Sequence, residues 1–397
     1  MRILVTGLGR IEQTPGGSAR YMSGLTSALR EQGHDVLELT GTDVVERAAA
    51  GTGVAGQAAR TVLRLSLGAP RAAAAVASFR PHIVTVHFAL DGLGATLGAD
   101  WSGVPVVSHF HGPWANEALA TGRRGAWPLS TNVRHAVEGF VYGHSTRWVT
   151  LSDAFADLLA NDYSIARQRI DTIPGGIDLR AVPVAADLAP AYCRDQLGIP
   201  DRLTIVTVRR LVPRTGVDLA ITALAALRRA NPDLDVQLLV AGGGPELGSL
   251  RALAEALGVG QRVIFMGRFP DEWLWLVHGA ADACVVPSRA LEGFGYGALE
   301  GLAAGRATIV TNIGGLPELV APICSAWVVE PTPEALCAAV TGVLRFPERQ
   351  PTSAALRRYA EGFDWRAIAA RVTEVYRAAI NDRSRAASAG RARPPQA

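Results

Sequence analysis

Glu292-Gly293-Phe294-Gly295-Tyr296-Gly297-Ala298-Leu299-Glu300 lies between an apolar run, Ala283-Cys284-Val285-Val286-Pro287, and a small-residue run, Gly301 to Gly305. The three segments read as a strand, a loop and a helix. Glu292 places a carboxylate on the loop. Gly293, Phe294 and Gly295 expose backbone N–H groups at the start of the helix, a natural anion site. Glu300 is the only charge in an otherwise apolar helix. A buried carboxylate without a hydrogen-bond partner costs free energy, so the fold must supply one.

Outward from this stretch, the β/α rhythm runs through the whole chain. In the N-terminal half, residues 2–6, 35–39, 82–87, 105–108, 147–151 and the start of 170–178 read as strands. In the C-terminal half, 203–208, 236–241, 263–266, 283–286, 308–311 and 327–329 do so. Helical spacing marks 18–32, the Ala- and Arg-rich region 43–80, 131–142, the segment that Ser152 caps, 218–229, 246–257, 272–278 and 365–380. Strands alternating with helices of this length predict parallel sheets in both halves. Residues 180–200 carry Pro183, Pro190 and Pro200, and the domain boundary is placed there, between 185 and 186. The Arg-, Ala- and Pro-rich tail, 381–397, reads as disordered.

Bulk properties narrow the function. The length of 397 residues suits two or three domains of about 100–200 residues each. Hydrophobic residues make up 49% of the chain and charged ones 19%, enough for large cores. A net charge of +3 gives no case for nucleic acid. All 39 basic residues are arginine, so any phosphate clamp uses arginine, helix N-termini or hydroxyls. Cys193, Cys284, Cys324 and Cys337 show no close-pair spacing. That argues against a zinc site or a disulfide framework and fits a reducing cytoplasm. The apolar run at Met1 is short for a signal peptide and reads as the first strand, and no run has the length to span a bilayer. The Gly-rich loop from Gly7 to Gly17 invites a dinucleotide reading through Gly7-Leu8-Gly9. Glu12 stands where the third glycine belongs, and the reading is set aside.

Glu292 and Glu300, with seven residues between them, resemble the Glu-x7-Glu motif of retaining glycosyltransferases of the family-4 type. Further segments agree in the same order: Pro15-Gly16-Gly17, Ile173 to Asp178, Arg210 to Gly216, Gly242 to Pro245, Phe265 to Gly267, and Gly314 to Glu318. The resemblance covers residues 1 to about 380. It implies the GT-B fold, two Rossmann-like parallel-sheet domains facing each other across a cleft. Residues 1–185 would bind the acceptor and 186–364 the nucleotide sugar, with helix 365–380 crossing back onto the N-domain.

The activity implied is transfer of a sugar, with retention, from a UDP- or GDP-linked donor to a small-molecule acceptor, without a metal or other cofactor. Glu292 would hold donor-sugar hydroxyls, the amides of Gly293, Phe294 and Gly295 the diphosphate, and Glu300 the nucleotide ribose. Arg210 matches the family's phosphate-binding arginine. The family usually has lysine where Thr215 stands, so Arg214 is the candidate for the second charge, with Thr215 left to donate a hydrogen bond. Gly243 and the segment from Phe265 to Arg268 would flank the donor. Gly16 and Gly17 would admit the diphosphate. His111 matches the active-site histidine, although His109, two residues earlier, points the same way along a strand.

Three other readings share these residues: a nucleotide-sugar epimerase, a non-catalytic nucleotide-sugar-binding protein, and a peripheral enzyme of the inner membrane face. The last would use Arg60, Arg64, Arg71, Arg123, Arg124 and Trp127. A soluble cytoplasmic enzyme is preferred. The Arg and Ala bias fits a GC-rich genome such as that of an actinomycete.

Overall fold

The computed structural model describes residues 1–9, 16–45, 61–115 and 131–391. They form two compact units. One holds the described residues up to Gly176 and resumes at Trp365; the other runs from Ile177 to Asp364.

The first unit contains β1 (Arg2–Gly7), β2 (Asp35–Thr40), β3 (Ile83–Val86), β4 (Val106–Phe110), β5 (Arg147–Thr150) and β6 (Ile170–Thr172). They form one parallel sheet in the order β2-β1-β3-β4-β5-β6. Its longer helices before the last one are α1 (Gly17–Glu31), α2 (Ala69–Phe79), α3 (Ala89–Ser102), α4 (Thr131–Gly143) and α5 (Asp153–Tyr163). β3 and β4 are buried along their whole length, as expected of a parallel sheet covered on both faces. Ser152 caps α5 as its sequence predicts, its hydroxyl accepting from the Phe155 amide at 3.3 Å.

The second unit has α6 (Pro190–Gln196), β7 (Leu203–Val208), α7 (Val217–Ala230), β8 (Val236–Ala241), α8 (Leu247–Ala256), β9 (Val263–Gly267) and α9 (Leu274–Gly279). There follow β10 (Ala283–Val286), α10 (Tyr296–Ala303), β11 (Thr308–Thr311), α11 (Leu316–Cys324), β12 (Val328–Val329), α12 (Pro333–Arg345) and α13 (Ser353–Glu361). The sheet order is β12-β11-β10-β7-β8-β9, again parallel throughout. The chain winds outward from β7 to β9, then returns to the other side of β7 at β10. Strands β7 and β10 therefore flank the point where the winding reverses, the place in an open α/β sheet where ligands bind. In the first unit the corresponding reversal lies between β1 and β3.

The expected strands are all present, within one or two residues except at β6, which ends at Thr172. Several boundaries differ. The segment 180–200 is not wholly irregular: Pro190 opens α6, since a proline is tolerated in the first helical turn. The unit boundary falls at 176/177 because Ile177 bridges to Asp364 and its amide donates to the Phe363 carbonyl at 2.8 Å. Helices α3, α11, α12 and α13 are additional to the sequence-based expectation. Thr332 and Thr352 cap the last two through their side chains.

The last helix, α14 (Trp365–Arg391), belongs to the first unit. Ile368, Ala369, Val372, Val375, Tyr376 and Ala379 recur at helical spacing and are buried. The helix does not stop at 380, so residues 381–391 are not a disordered tail. Asp382 pairs with Arg147 at 2.8 Å and Arg383 with Asp100 at 3.4 Å, and Ala and Arg are strong helix formers. Residues 392–397 lie outside the described residues.

Trp365 sets how this helix docks. A Cβ on Gly24 of α1 would lie 2.2 Å from Trp365 Cε2, and one on Gly176 2.4 Å from Trp365 Cδ2. The indole fills the space that two missing side chains leave. Gly24→Ala should lower the unfolding midpoint by several degrees, in line with an overpacking cost of about 1–3 kcal/mol. An unchanged midpoint in thermal melts would show that the indole is not so confined.

Candidate functional site

In the second unit, the side chains at the β7/β10 reversal come from the two loops that leave those strands. Arg209 follows β7 directly. Ser288 and Glu292 follow β10. The Arg209 guanidinium donates through Nη2 to Glu292 Oε2 at 2.8 Å and to Ser288 Oγ at 2.8 Å. Ser288 Oγ donates to the same carboxylate oxygen at 2.8 Å. The Arg209 side chain is 8% exposed and that of Glu292 18%. Burial presses the guanidinium towards neutrality, and the Glu292 carboxylate opposes that shift.

The backbone carrying Glu292 is held from three further sides. Arg214 Nη1 donates to the Leu291 carbonyl at 3.0 Å, and Leu291 itself has a left-handed φ of 51°. Thr311 Oγ1 donates to the Ser288 carbonyl at 2.6 Å. The Gly315 amide donates to the Glu292 carbonyl at 2.9 Å. At Gly314 a Cβ would approach that carbonyl oxygen to 2.0 Å, and φ there is +57°, so only glycine fits.

Beyond the loop, the first bonds of α10 run from the Ala298 and Leu299 amides to the Gly295 carbonyl. The amides before them, from Gly293 onward, precede the helical ladder, where an anion is favoured. Phe294 contributes only its backbone: its ring is buried at 4% exposure between Tyr296 and Phe363.

Thr215 departs from its expected role. Thr215 is 4% exposed, and its hydroxyl faces the carbonyls of Arg210 at 2.8 Å and Val212 at 2.7 Å. It closes its own turn and does not present a donor to a ligand. Arg214 is half-buried and braces the loop of Glu292, so it is not a solvated surface charge. Arg210 is exposed. Gly243 and Arg268 are brought together, with a Cβ on the glycine only 3.1 Å from Arg268 Cγ. Phe265 lies beneath the Arg251 guanidinium, 5.7 Å from the ring centroid.

Glu300 is buried, at 4% exposure, and meets its partner within the unit. His278 Nε2 lies 3.3 Å from Glu300 Oε2, and His278 Nδ1 lies 3.6 Å from Cys284 Sγ.

In the first unit, His87 follows β3, His109 is within β4, and His111 follows it. The His87 ring stacks on His109 at a centroid distance of 4.2 Å and on His111 at 5.4 Å. His109 is 3% exposed and lies between two phenols: Tyr21 Oη is 3.2 Å from its Nδ1, and Tyr376 Oη 3.0 Å from its Nε2. It is thus a core residue. His111 is half-buried at the end of the strand, with Nε2 3.2 Å from His87 Nδ1. Of the two histidines left open by the sequence, His109 lies in the core and His111 at the strand end. His111 Nδ1 and His87 Nε2 are buried with no hydrogen-bond partner among the described residues. Such groups call for one.

The backbone that follows His111 is anchored by Glu138 of α4, fully buried, whose carboxylate accepts from the Trp114 and Ala115 amides at 2.9 and 3.2 Å and from Tyr163 Oη at 2.7 Å. Gly16 precedes α1, and a Cβ there would meet nothing within 4 Å. Pro15 and Glu12 lie outside the described residues.

The basic patch expected on this unit is not assembled among the described residues. Arg64 turns inward, its Nε donating to the buried Asp91 at 2.6 Å. Arg71 is exposed. Arg60, Arg123, Arg124 and Trp127 lie outside the described residues.

Comparison with known proteins agrees with this geometry. Residues 15–181 match the family described as Glycosyltransferase Family 4, and residues 193–363 that described as Glycosyl transferases group 1. The chain is 33% identical to a glycogen synthase of Mycobacterium tuberculosis, covering 96% of this chain and 95% of that one. The chain belongs to the family-4 glycosyltransferases. A second glycosyltransferase relative, the D-inositol 3-phosphate glycosyltransferase of Segniliparus rotundus, is 34% identical over 76% of this chain and 67% of its own length. Among solved structures, Anabaena HepE in complex with UDP and glucose superposes with a TM-score of 0.72 at 17% identity, covering 95% of this chain and 100% of that one. The two parallel sheets are those of the GT-B fold, and the protein is a glycosyltransferase enzyme.

The histidine cluster gives this glycosyltransferase a pH signature. Burial lowers the His111 pKa from 6.5 to about 4 and pushes His87 and His109 well below 6.5, the neighbouring imidazoles adding to the shift. In the unfolded chain these rings take up protons as pH falls through about 6.5. In the folded state they do not until much lower pH. The unfolded state therefore binds more protons in this window, and stability falls as pH drops from 6.5 towards 4. His87→Asn keeps a donor for His111 but does not titrate. Its unfolding midpoint should fall less between pH 6.5 and 5 than that of the unaltered protein, and parallel curves would contradict the assignment.

Proposed function

We propose that this enzyme moves a sugar, with retention at the anomeric carbon, from a UDP- or GDP-linked donor to a hydroxyl of a small hydrophilic acceptor, without a metal. The observation that carries the reading is the constrained Glu292 carboxylate at the β7/β10 reversal, immediately ahead of the α10 amides. A carboxylate fixed by Arg209 and Ser288 is oriented to accept hydrogen bonds from sugar hydroxyls. The amides from Gly293 onward, with Arg210 and Arg214, then meet the charge of the diphosphate. Binding of UDP and glucose by HepE supports the uridine form of the donor.

The second unit is accordingly the donor domain and the first the acceptor domain. A neutral His111 suits hydrogen bonding to a sugar or acceptor hydroxyl and adds no charge near the phosphates. The bond from the anomeric carbon to the leaving phosphate oxygen breaks. The acceptor oxygen bonds to the same face, and its proton passes to the departing phosphate. The protein contributes positioning and electrostatic stabilisation. The relatives named for inositol phosphate and glycogen differ in acceptor, and an acceptor screen begins with phosphorylated and free polyols. The four cysteines are free thiols, which fits a cytoplasmic location.

Glu292→Ala and Arg210→Ala should each lower turnover by about a hundredfold or more, with the protein still folded. Glu292→Gln, which leaves an acceptor for Arg209, separates lost chemistry from a disturbed buried pair. Near-normal turnover in either alanine variant removes that residue from the site. Independently, UDP or GDP should raise the unfolding midpoint in a concentration-dependent way. If neither does, nucleotide binding is wrong.

A further inference from the structure

We propose that His278 is a positioning residue for Glu300, orienting its carboxylate to receive the hydroxyls of the donor ribose. This rests on the reading of the second unit as the nucleotide-sugar domain. His278 lies at the C-terminal end of α9, is 2% exposed, and faces Glu300.

With Glu300 ionised and His278 neutral, the hydrogen bonds of the three side chains run in one direction. An ionised carboxylate only accepts, so the ring nitrogen facing Glu300 Oε2, His278 Nε2, carries the proton. In the neutral imidazole Nδ1 is then an acceptor, and it faces Cys284 Sγ. The Cys284 thiol is 1% exposed, and burial raises its pKa to about 12, so it keeps its proton and donates. The chain runs Cys284 S–H to His278 Nδ1, then His278 Nε2–H to Glu300.

Each member sits on a different element: Cys284 on β10, His278 on α9 and Glu300 on α10. The strand thus fixes the imidazole, and the imidazole fixes one carboxylate oxygen. The carboxylate has about four acceptor positions, so this bond sets its plane while leaving capacity for ribose hydroxyls. An apolar residue at 278 would remove the bond to that oxygen.

The test uses the full chain, with UDP and GDP and their 2′,3′-dideoxy counterparts, and calorimetric dissociation constants. The unaltered protein should prefer the ribose form about tenfold or more, as expected for hydrogen bonds to a charged group. His278→Phe should reduce that preference to about twofold or less. His278→Gln places an amide donor near the position of Nε2 and should retain it. His278→Met replaces the phenylalanine variant if that one does not fold. If the apolar variants keep the full preference, His278 does not position Glu300. If the glutamine variant loses it as completely as they do, the donor at Nε2 is not what matters, and the proposal also falls. Equal binding of both forms by the unaltered protein would instead overturn the ribose role of Glu300, and this proposal with it.

Discussion

The second unit depends on the buried ion pair between Arg209 and Glu292. The Arg209 guanidinium leaves water in the folded state while Glu292 stays half-buried, so losing the carboxylate would leave a buried cation unpaired. Here the pair is tied to a hydroxyl as well, since Ser288 bonds both members. Three backbone contacts, from Arg214, Thr311 and Gly315, then hold the loop in place. Glu292 is thus held in one orientation by the fold itself, and in the proposed sugar-binding role a group whose geometry is set in advance costs nothing to reorganise. The left-handed Leu291 is accommodated within this over-determined loop.

Charge is arranged differently in the two units. Around Glu292 it is concentrated and paired. Around His111 it is excluded: three stacked imidazoles are kept neutral by burial and by one another. Tyr21 and Tyr376 hold His109 from either side, and Tyr376 comes from the final helix. Docking of α14 therefore supports the position of His111 through a chain of ring contacts. The Trp365 seat at Gly24 and Gly176 belongs to the same arrangement.

Much of the frame was legible from local pattern. Parallel strands buried on both faces tend to be continuous apolar runs, and runs such as Ala283–Val286 and 238–241 stand out without any tertiary information. The Glu-x7-Glu spacing, the glycine turns and the ordered series of motifs led to the family. Less legible were elements whose signal is weak, such as α3, which is rich in glycine, and α6, which lies within a proline-rich segment. The tail was misread because an Arg- and Ala-rich composition suits both a solvated coil and a helix. In the fold the segment continues the docked helix, and pairs with Asp100 and Arg147, distant in sequence, accompany it.

At the site, the sequence alone determined which residue types were present: two glutamates with seven residues between them, arginines after β7, histidines at the end of β4. These are properties of spacing, and spacing survives without a structure. Which arginine meets Glu292 was a tertiary matter. Arg209 and Arg210 are adjacent, and successive residues point to opposite sides of an extended backbone, so the fold alone turns one inward and leaves the other exposed. His109 and His111 share one direction along the strand, and only the fold shows that the first ring lies in the core and the second is half-buried. The partner of Glu300 was likewise hidden, because His278, 22 residues away on another helix, meets it only when α9 and α10 pack on the same sheet.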